Sequence, residues 1–160
     1  ISGEGAETPS VPEELNLLPL RDAVVFPLLV APIVVGRAPY VRLIDDAILS
    51  GTRVVGIVTQ RDPETEAPGA GDIYPMGVAV NIRMMGKAPD ATRLIVRGIQ
   101  RFRVVQILQE EPYLRAKVQL LEEPGIAPED EVQVEALRRQ LSATFEKIVE
   151  LSPDLPEDLK

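Results

Sequence analysis

The sequence predicts a small, mostly antiparallel β-barrel or sandwich with one early helix, followed by a second, helical regime. Three observations carry that expectation. Between Leu17 and Leu121, apolar β-prone runs recur in short lengths, separated by turns rich in Gly, Pro, Asp and Glu. Within that span only Ala38 to Ser50 has the 3.6-residue period of a helix. Beyond Gly125 the pattern changes to one long amphipathic stripe.

Residues 1–14, rich in Gly, Ser, Pro and Glu, read as a flexible tail. From Leu17 the text turns apolar: Leu17 to Leu20, Val24-Val25-Phe26, then Leu28 to Val35. Pro19, Pro27 and Pro32 interrupt it, and proline cannot donate to a central ladder, so short edge strands and bends are expected. In the helix, Tyr40, Leu43, Ile44, Ala47 and Ile48 form one apolar stripe; Pro39 suits its first turn and Gly51 the position just past its end. Arg53 to Gln60 is a strand whose centre, Val54 to Val58, is apolar on both faces and therefore buried on both. Residues 61–72 form a loop dense in Asp, Pro, Glu and Gly. Gly77 to Met85 alternates, with Val78, Val80, Ile82 and Met84 on one face. Ala91 to Val96 and Phe102 to Leu108 read as two strands joined at Arg97-Gly98, and Tyr113 to Leu121 as a last one. Then Pro128-Glu129-Asp130-Glu131 opens a helix in which Val134, Leu137, Leu141, Phe145 and Ile148 share a face as far as about Leu151. Such a stripe needs a partner, either the barrel or further helices. Leu155-Pro156-Glu157-Asp158 could open another helix.

Missing residue types restrict the chemistry. Of the 160 residues none is His or Cys, which excludes Cys/His zinc sites, His general bases and Cys nucleophiles. Gly86-Lys87-Ala88 lacks the first glycine and the hydroxyl of a P-loop. Serines are few and lie in tails, at a helix end or on a helix, and the carboxylate pairs Asp45-Asp46, Glu110-Glu111 and Glu122-Glu123 read as solvated faces or loops. No catalytic residue, bound cofactor or metal is therefore expected in this chain. No apolar run approaches the roughly 18–20 residues of a membrane span, and the absence of cysteine fits a reducing cytoplasm. The chain starts at Ile1 and is expected to be a piece of a longer polypeptide. Its net charge of −8 is unevenly placed: residues 17–121 hold thirteen bases and ten acids, while both ends are acidic.

Several segments, in order, resemble the N-terminal domain of Lon-type ATP-dependent proteases: Leu18-Pro19-Leu20-Arg21-Asp22-Ala23-Val24-Val25-Phe26-Pro27, Pro32-Ile33-Val34-Val35-Gly36-Arg37, Gln60-Arg61-Asp62-Pro63-Glu64, Asp72-Ile73-Tyr74-Pro75-Met76-Gly77, Val96-Arg97-Gly98-Ile99-Gln100-Arg101-Phe102 and Pro112-Tyr113-Leu114. The resemblance implies a PUA-like pseudo-barrel of about six strands with one helix over residues 15–121, followed by the start of a helical subdomain over 122–160. It also implies a non-catalytic role in substrate recognition and in organising a hexamer, within a cytoplasmic ATP-dependent protease of protein quality control. The AAA+ module with its ATP and Mg, and the Ser-Lys dyad, would belong to the parent; none of their motifs is present here. A stand-alone PUA-like binding module, for nucleic acid or another ligand, is the alternative. Two positions depart from the family pattern: Leu28 stands where a Gly usually follows Phe-Pro, and Pro89-Asp90-Ala91 replaces a Pro-Asp-Gly turn.

The candidate binding residues for unfolded or damaged protein are Pro27, Leu28, Leu29, Pro32, Met84 and Met85. Two adjacent leucines cannot both face inward on a strand, so the proline-bounded loop is either a buried bend or an exposed apolar grip. Of the two methionines, alternation buries one and exposes the other, and flexible thioethers suit surfaces that accept many sequences. Arg93, Arg97, Arg101 and Arg103 hint at a basic face. With aromatic residues at 4% and a net charge of −8, nucleic acid is an unfavoured partner, and a solvated strand face accounts for them.

Overall fold

The computed structural model describes residues 10–122 and 125–152. The chain divides into two compact units after residue 122. The first contains six strands, β1 (Glu14–Leu20), β2 (Val30–Val35), β3 (Val54–Gln60), β4 (Ile73–Lys87), β5 (Thr92–Gln109) and β6 (Arg115–Leu120), with one helix, α1 (Ala38–Leu49). The second contains α2 (Glu131–Leu151), entered through a 3₁₀ turn at Pro128–Asp130. The sheet runs β2-β5-β4-β3-β1-β6, and an additional β5–β6 pairing closes it on itself. Only β1 and β3 run parallel.

Two cores lie on opposite faces of this sheet. On one, Leu18, Val55, Ile57, Val78, Val80 and Val96 pack against Leu43, Ile44 and Ala47 of α1. On the other, Leu15, Leu17, Val54, Val58, Ala79, Ala116 and Val118 surround Phe102. The strand period of two divides neighbouring residues between the cores, so β3 is buried on both faces as its text predicts. Proline sits where ladders are incomplete. Pro32 lies on β2, which pairs only with β5, and Pro19 lies on the part of β1 beyond its pairing with β6.

The helix follows its sequence signals, with Pro39 in its first turn and Gly51 at φ 78° after its end. Its carboxylates act as clips. Tyr113 donates its hydroxyl to Asp46 Oδ2 at 2.6 Å, and Lys87 Nζ lies 2.9 Å from Asp45. Burial, reinforced by the hydrogen bond to Asp46, pushes the Tyr113 phenol up to about 12.

Several sequence expectations need correction. The two strands expected over Ala91–Val96 and Phe102–Leu108 are one eighteen-residue strand, β5, and Arg97-Gly98 is its interior. Gly98 serves close backbone approach there, not a turn: a Cβ at this position would meet Phe26 O at 2.2 Å. Val24 to Phe26 is not a strand; Val25 is buried, while Val24 and Phe26 are exposed. Met84 does not share the face of Ile82. The register shifts between them, leaving Arg83 as a bulge residue that reverses the alternation. The last strand starts at Arg115, after Tyr113 and Leu114 have already been buried.

Glu14, placed by composition in the tail, pairs with Lys117. The Glu13 carbonyl accepts from Val118 N at 2.8 Å, and Val11 packs on the Phe102 core. The remaining tail residues 1–9 and the helix start suggested at Leu155 lie outside the described residues.

In the second unit α2 covers its predicted span, and no other element of that unit covers most of its stripe among the described residues. Leu137, Leu141, Phe145 and Ile148 are each more than half exposed. The surface ion pairs of Glu135 with Arg138 and Arg139 decorate the helix.

Candidate functional site

The candidate residues of the proline-bounded loop form a tight turn seated on β5. Leu29 N reaches Phe26 O at 3.4 Å, with Pro27 second and Leu28 third in the turn, and Leu28 has φ 68°. That is the pattern of a type II turn, whose third position demands positive φ and usually takes Gly. The turn is pinned on both sides of Gly98: Leu28 N donates to Gly98 O at 3.0 Å and Gly98 N donates to Leu29 O at 2.8 Å. Both leucines are exposed as a result, Leu28 at 74% and Leu29 at 54%, while Pro27 is half-buried. The loop is not a buried bend: the left-handed backbone at Leu28 breaks the strand alternation, and both leucine side chains stand exposed.

Beyond the turn, alternation resumes and builds a second group on the outward face of β2, β5 and β4. Register sets three rows across β2, β5 and β4: Val30, Arg97 and Asn81; Pro32, Ile95 and Met84; and Val34, Arg93 and Gly86. Met84 is 68% exposed because of the Arg83 bulge. Met85 falls on the opposite face, opposite the buried Leu94, and is 38% exposed. The structure therefore brings Pro32 and Met84 to the two sides of Ile95 and separates Met85 from them, while Leu28 and Leu29 stand exposed on the turn that leads into β2. Val30 and Val34, also exposed, belong to this face and escaped sequence reasoning. Their signal was present: a proline-bearing edge strand has one solvent face, and Val30, Pro32 and Val34 are its alternate positions.

Behind β2 an apolar hollow of about 480 Å³ opens between its inner residues, such as Ile33 and Val35, and Leu18 and Leu20 of β1. Its charges, Arg21, Asp22 and Arg37, lie in the connecting segments, and the Arg37 guanidinium sits 5.5 Å above the Tyr40 ring. Among the described residues no three carboxylates converge as a metal site would require. Nor is any helix long and apolar enough to cross a membrane.

Comparison with known proteins supplies the family. The model of the ATP-dependent protease La (LON) substrate-binding domain matches residues 14–160. The chain belongs to the Lon substrate-binding domain family. The Lon protease of Dictyoglomus thermophilum is 40% identical over 154 residues, 96% of this chain and 19% of that protein. Lon protease 2 of Myxococcus xanthus is 43% identical over 147 residues, 91% of this chain and 17% of the relative. The chain thus spans less than a fifth of the length of these relatives. The fold matches that of a Lon N-terminal domain protein from Xanthomonas campestris, with a TM-score of 0.58, 23% identity, and coverage of 91% of this chain and 85% of that one. The N-terminal domain of the Lon protease from the Mycobacterium avium complex gives a TM-score of 0.57 at 21% identity, covering 88% of this chain and 76% of the other.

The left-handed backbone of Leu28 has a physical cost. A Gly at this third position would fit without strain, whereas a leucine there is strained by roughly 1–2 kcal/mol. Leu28→Gly should raise stability by about 0.5–1 kcal/mol, because relief of that strain exceeds glycine's larger folding entropy. Urea midpoints of the two proteins would measure it. A lower midpoint for the glycine variant would mean that the exposed leucine contributes packing after all.

Proposed function

We propose that this chain is the non-catalytic, client-capturing part of an ATP-dependent serine protease of the Lon type, serving protein quality control in the cytoplasm. Its clients are unfolded or damaged proteins, and its working surface is Leu28, Leu29, Pro32 and Met84, widened by Val30 and Val34. The observation that supports this reading most directly is the left-handed Leu28, which accepts strain in order to hold two leucines in solvent. A receptor for many sequences cannot depend on directional bonds to side chains that vary. Apolar contact is non-directional and scales with area, at about 25 cal/mol per Å². A patch of a few hundred Å² then captures weakly and releases readily. Repetition of the domain in a hexameric parent raises the effective affinity without tightening any single contact. ATP, Mg²⁺ and the cleaving dyad belong to other parts of that parent.

Changing both Leu29 and Met84 to Ser should weaken binding of a permanently unfolded polypeptide several-fold, measured by fluorescence anisotropy. Both side chains are mostly exposed, so stability should move by no more than about 0.5 kcal/mol. Unchanged binding by the folded double variant would place the capture surface elsewhere.

A further inference from the structure

The arginines of the outward face have a regular place in it. The three strands β2, β4 and β5 contain no Asp or Glu, although the chain carries a net charge of −8. Arg93 and Arg97 stand two residues to either side of Ile95 on β5, on the same face and both exposed. Neither has a hydrogen-bond or ion-pair partner among the described residues. Ile95 is flanked by Pro32 on one neighbouring strand and Met84 on the other, so an apolar row is bracketed by two unpaired cations.

Spacing gives this arrangement a reading frame. Along a strand, residues on one face recur about every 6.6–6.8 Å. An extended polypeptide laid along β5 repeats its own side chains at the same interval. A client with an apolar residue over Ile95 would therefore place its residues two before and two after beside Arg93 and Arg97. Resting on the capture reading above, we propose that this face selects extended client segments in which acidic residues flank an apolar one at alternate positions, acid-x-apolar-x-acid. The apolar row supplies attraction that tolerates many sequences, and the two arginines set a preference in charge and register. The rest of the chain is acidic, so carboxylates find their complement here and are repelled elsewhere. Nucleic acid is the less suitable anion, because no aromatic side chain lies on β2 or on β5 between Thr92 and Gln100 to stack a base.

The test uses the whole 160-residue chain and four labelled, unstructured peptides of equal length. One carries Glu-x-Leu-x-Glu, one the same residues with the glutamates adjacent, one Gln for Glu, and one Lys for Glu. The first should bind about 3–10-fold more tightly than the Gln peptide, the sum expected of two exposed ion pairs. The adjacent-glutamate peptide should fall between them and the Lys peptide last. The double variant Arg93→Gln/Arg97→Gln should abolish the advantage while leaving affinity for the Gln peptide unchanged. Equal affinities for the Glu, Gln and Lys peptides would overturn this proposal and spare the capture reading. So would an equal loss for all four peptides in a folded arginine variant, or binding of a single-stranded RNA that depends on Arg93 and Arg97 and displaces the acidic peptide. If none of the four peptides binds at all, the capture reading itself fails.

Discussion

Truncating Phe102 to Ala should lower the unfolding free energy by about 3–5 kcal/mol, followed by circular dichroism in urea. The ring is fully buried at the centre of the second core. It lies directly opposite Gly77 on β4 and also against Gly56 on β3. A Cβ added at Gly77 would come within 2.6 Å of its Cζ, and one at Gly56 within 2.9 Å. The two glycines thus leave a slot that the ring fills. Neither glycine has a side chain that could swing into the cavity, and incomplete collapse is what makes such truncations costly. A loss below about 1.5 kcal/mol would show that the sheet closes over the vacated space.

Gly98→Ala should have the second largest effect, and on two measurements together. The methyl group would meet Phe26 O at 2.2 Å and Pro27 Cα at 3.1 Å, all backbone atoms that cannot rotate away. The turn must lift from β5, breaking the pair of hydrogen bonds that pins it. Overpacking of this kind costs about 1–3 kcal/mol, and binding of unfolded polypeptide should drop several-fold because Leu28 and Leu29 lose their seat. Gly86→Ala is the control: it lies in the same sheet, opposite Arg93, with nothing within 4 Å of an added Cβ, and both measurements should stay put. Stability lost with binding intact would detach the turn from client capture.

Much of the fold was legible because its signals are local. The stripe of α1 and its flanking Pro39 and Gly51 act through the helix's own turns, and a strand as apolar as Val54 to Val58 has no solvent face to offer. What was illegible depends on partners far away in sequence. Bulges at Arg83 and Ile99 are invisible in the text, since each exists only relative to the facing strand, yet one of them decides that Met84 rather than Met85 joins the outward face. Gly98 looked like punctuation because glycine usually is; its actual reason, the backbone of Phe26 pressing on it, lies seventy residues upstream. Leu28 and Leu29 were legible as a pair that cannot both be buried, but Val30 and Val34 were absorbed into the apolar run leading to Val35. The arginine frame around Ile95 needed the register of three strands before its spacing meant anything.

The closure of the sheet has a consequence for biogenesis. β1 is complete only when Glu14 to Asn16 meet Arg115 to Lys117, so the earliest made of these six strands waits for the latest. At about 5–20 residues per second, that leaves a nascent β1 and an unsealed second core exposed for several seconds. Topologies dominated by such distant pairings also fold slowly, on the order of milliseconds to seconds. During that interval the growing chain displays extended backbone with alternate apolar side chains in water, the kind of segment proposed above as a client. On that proposal newly made copies are potential clients of finished ones, and the speed of sealing β6 against β1 sets how briefly that is so.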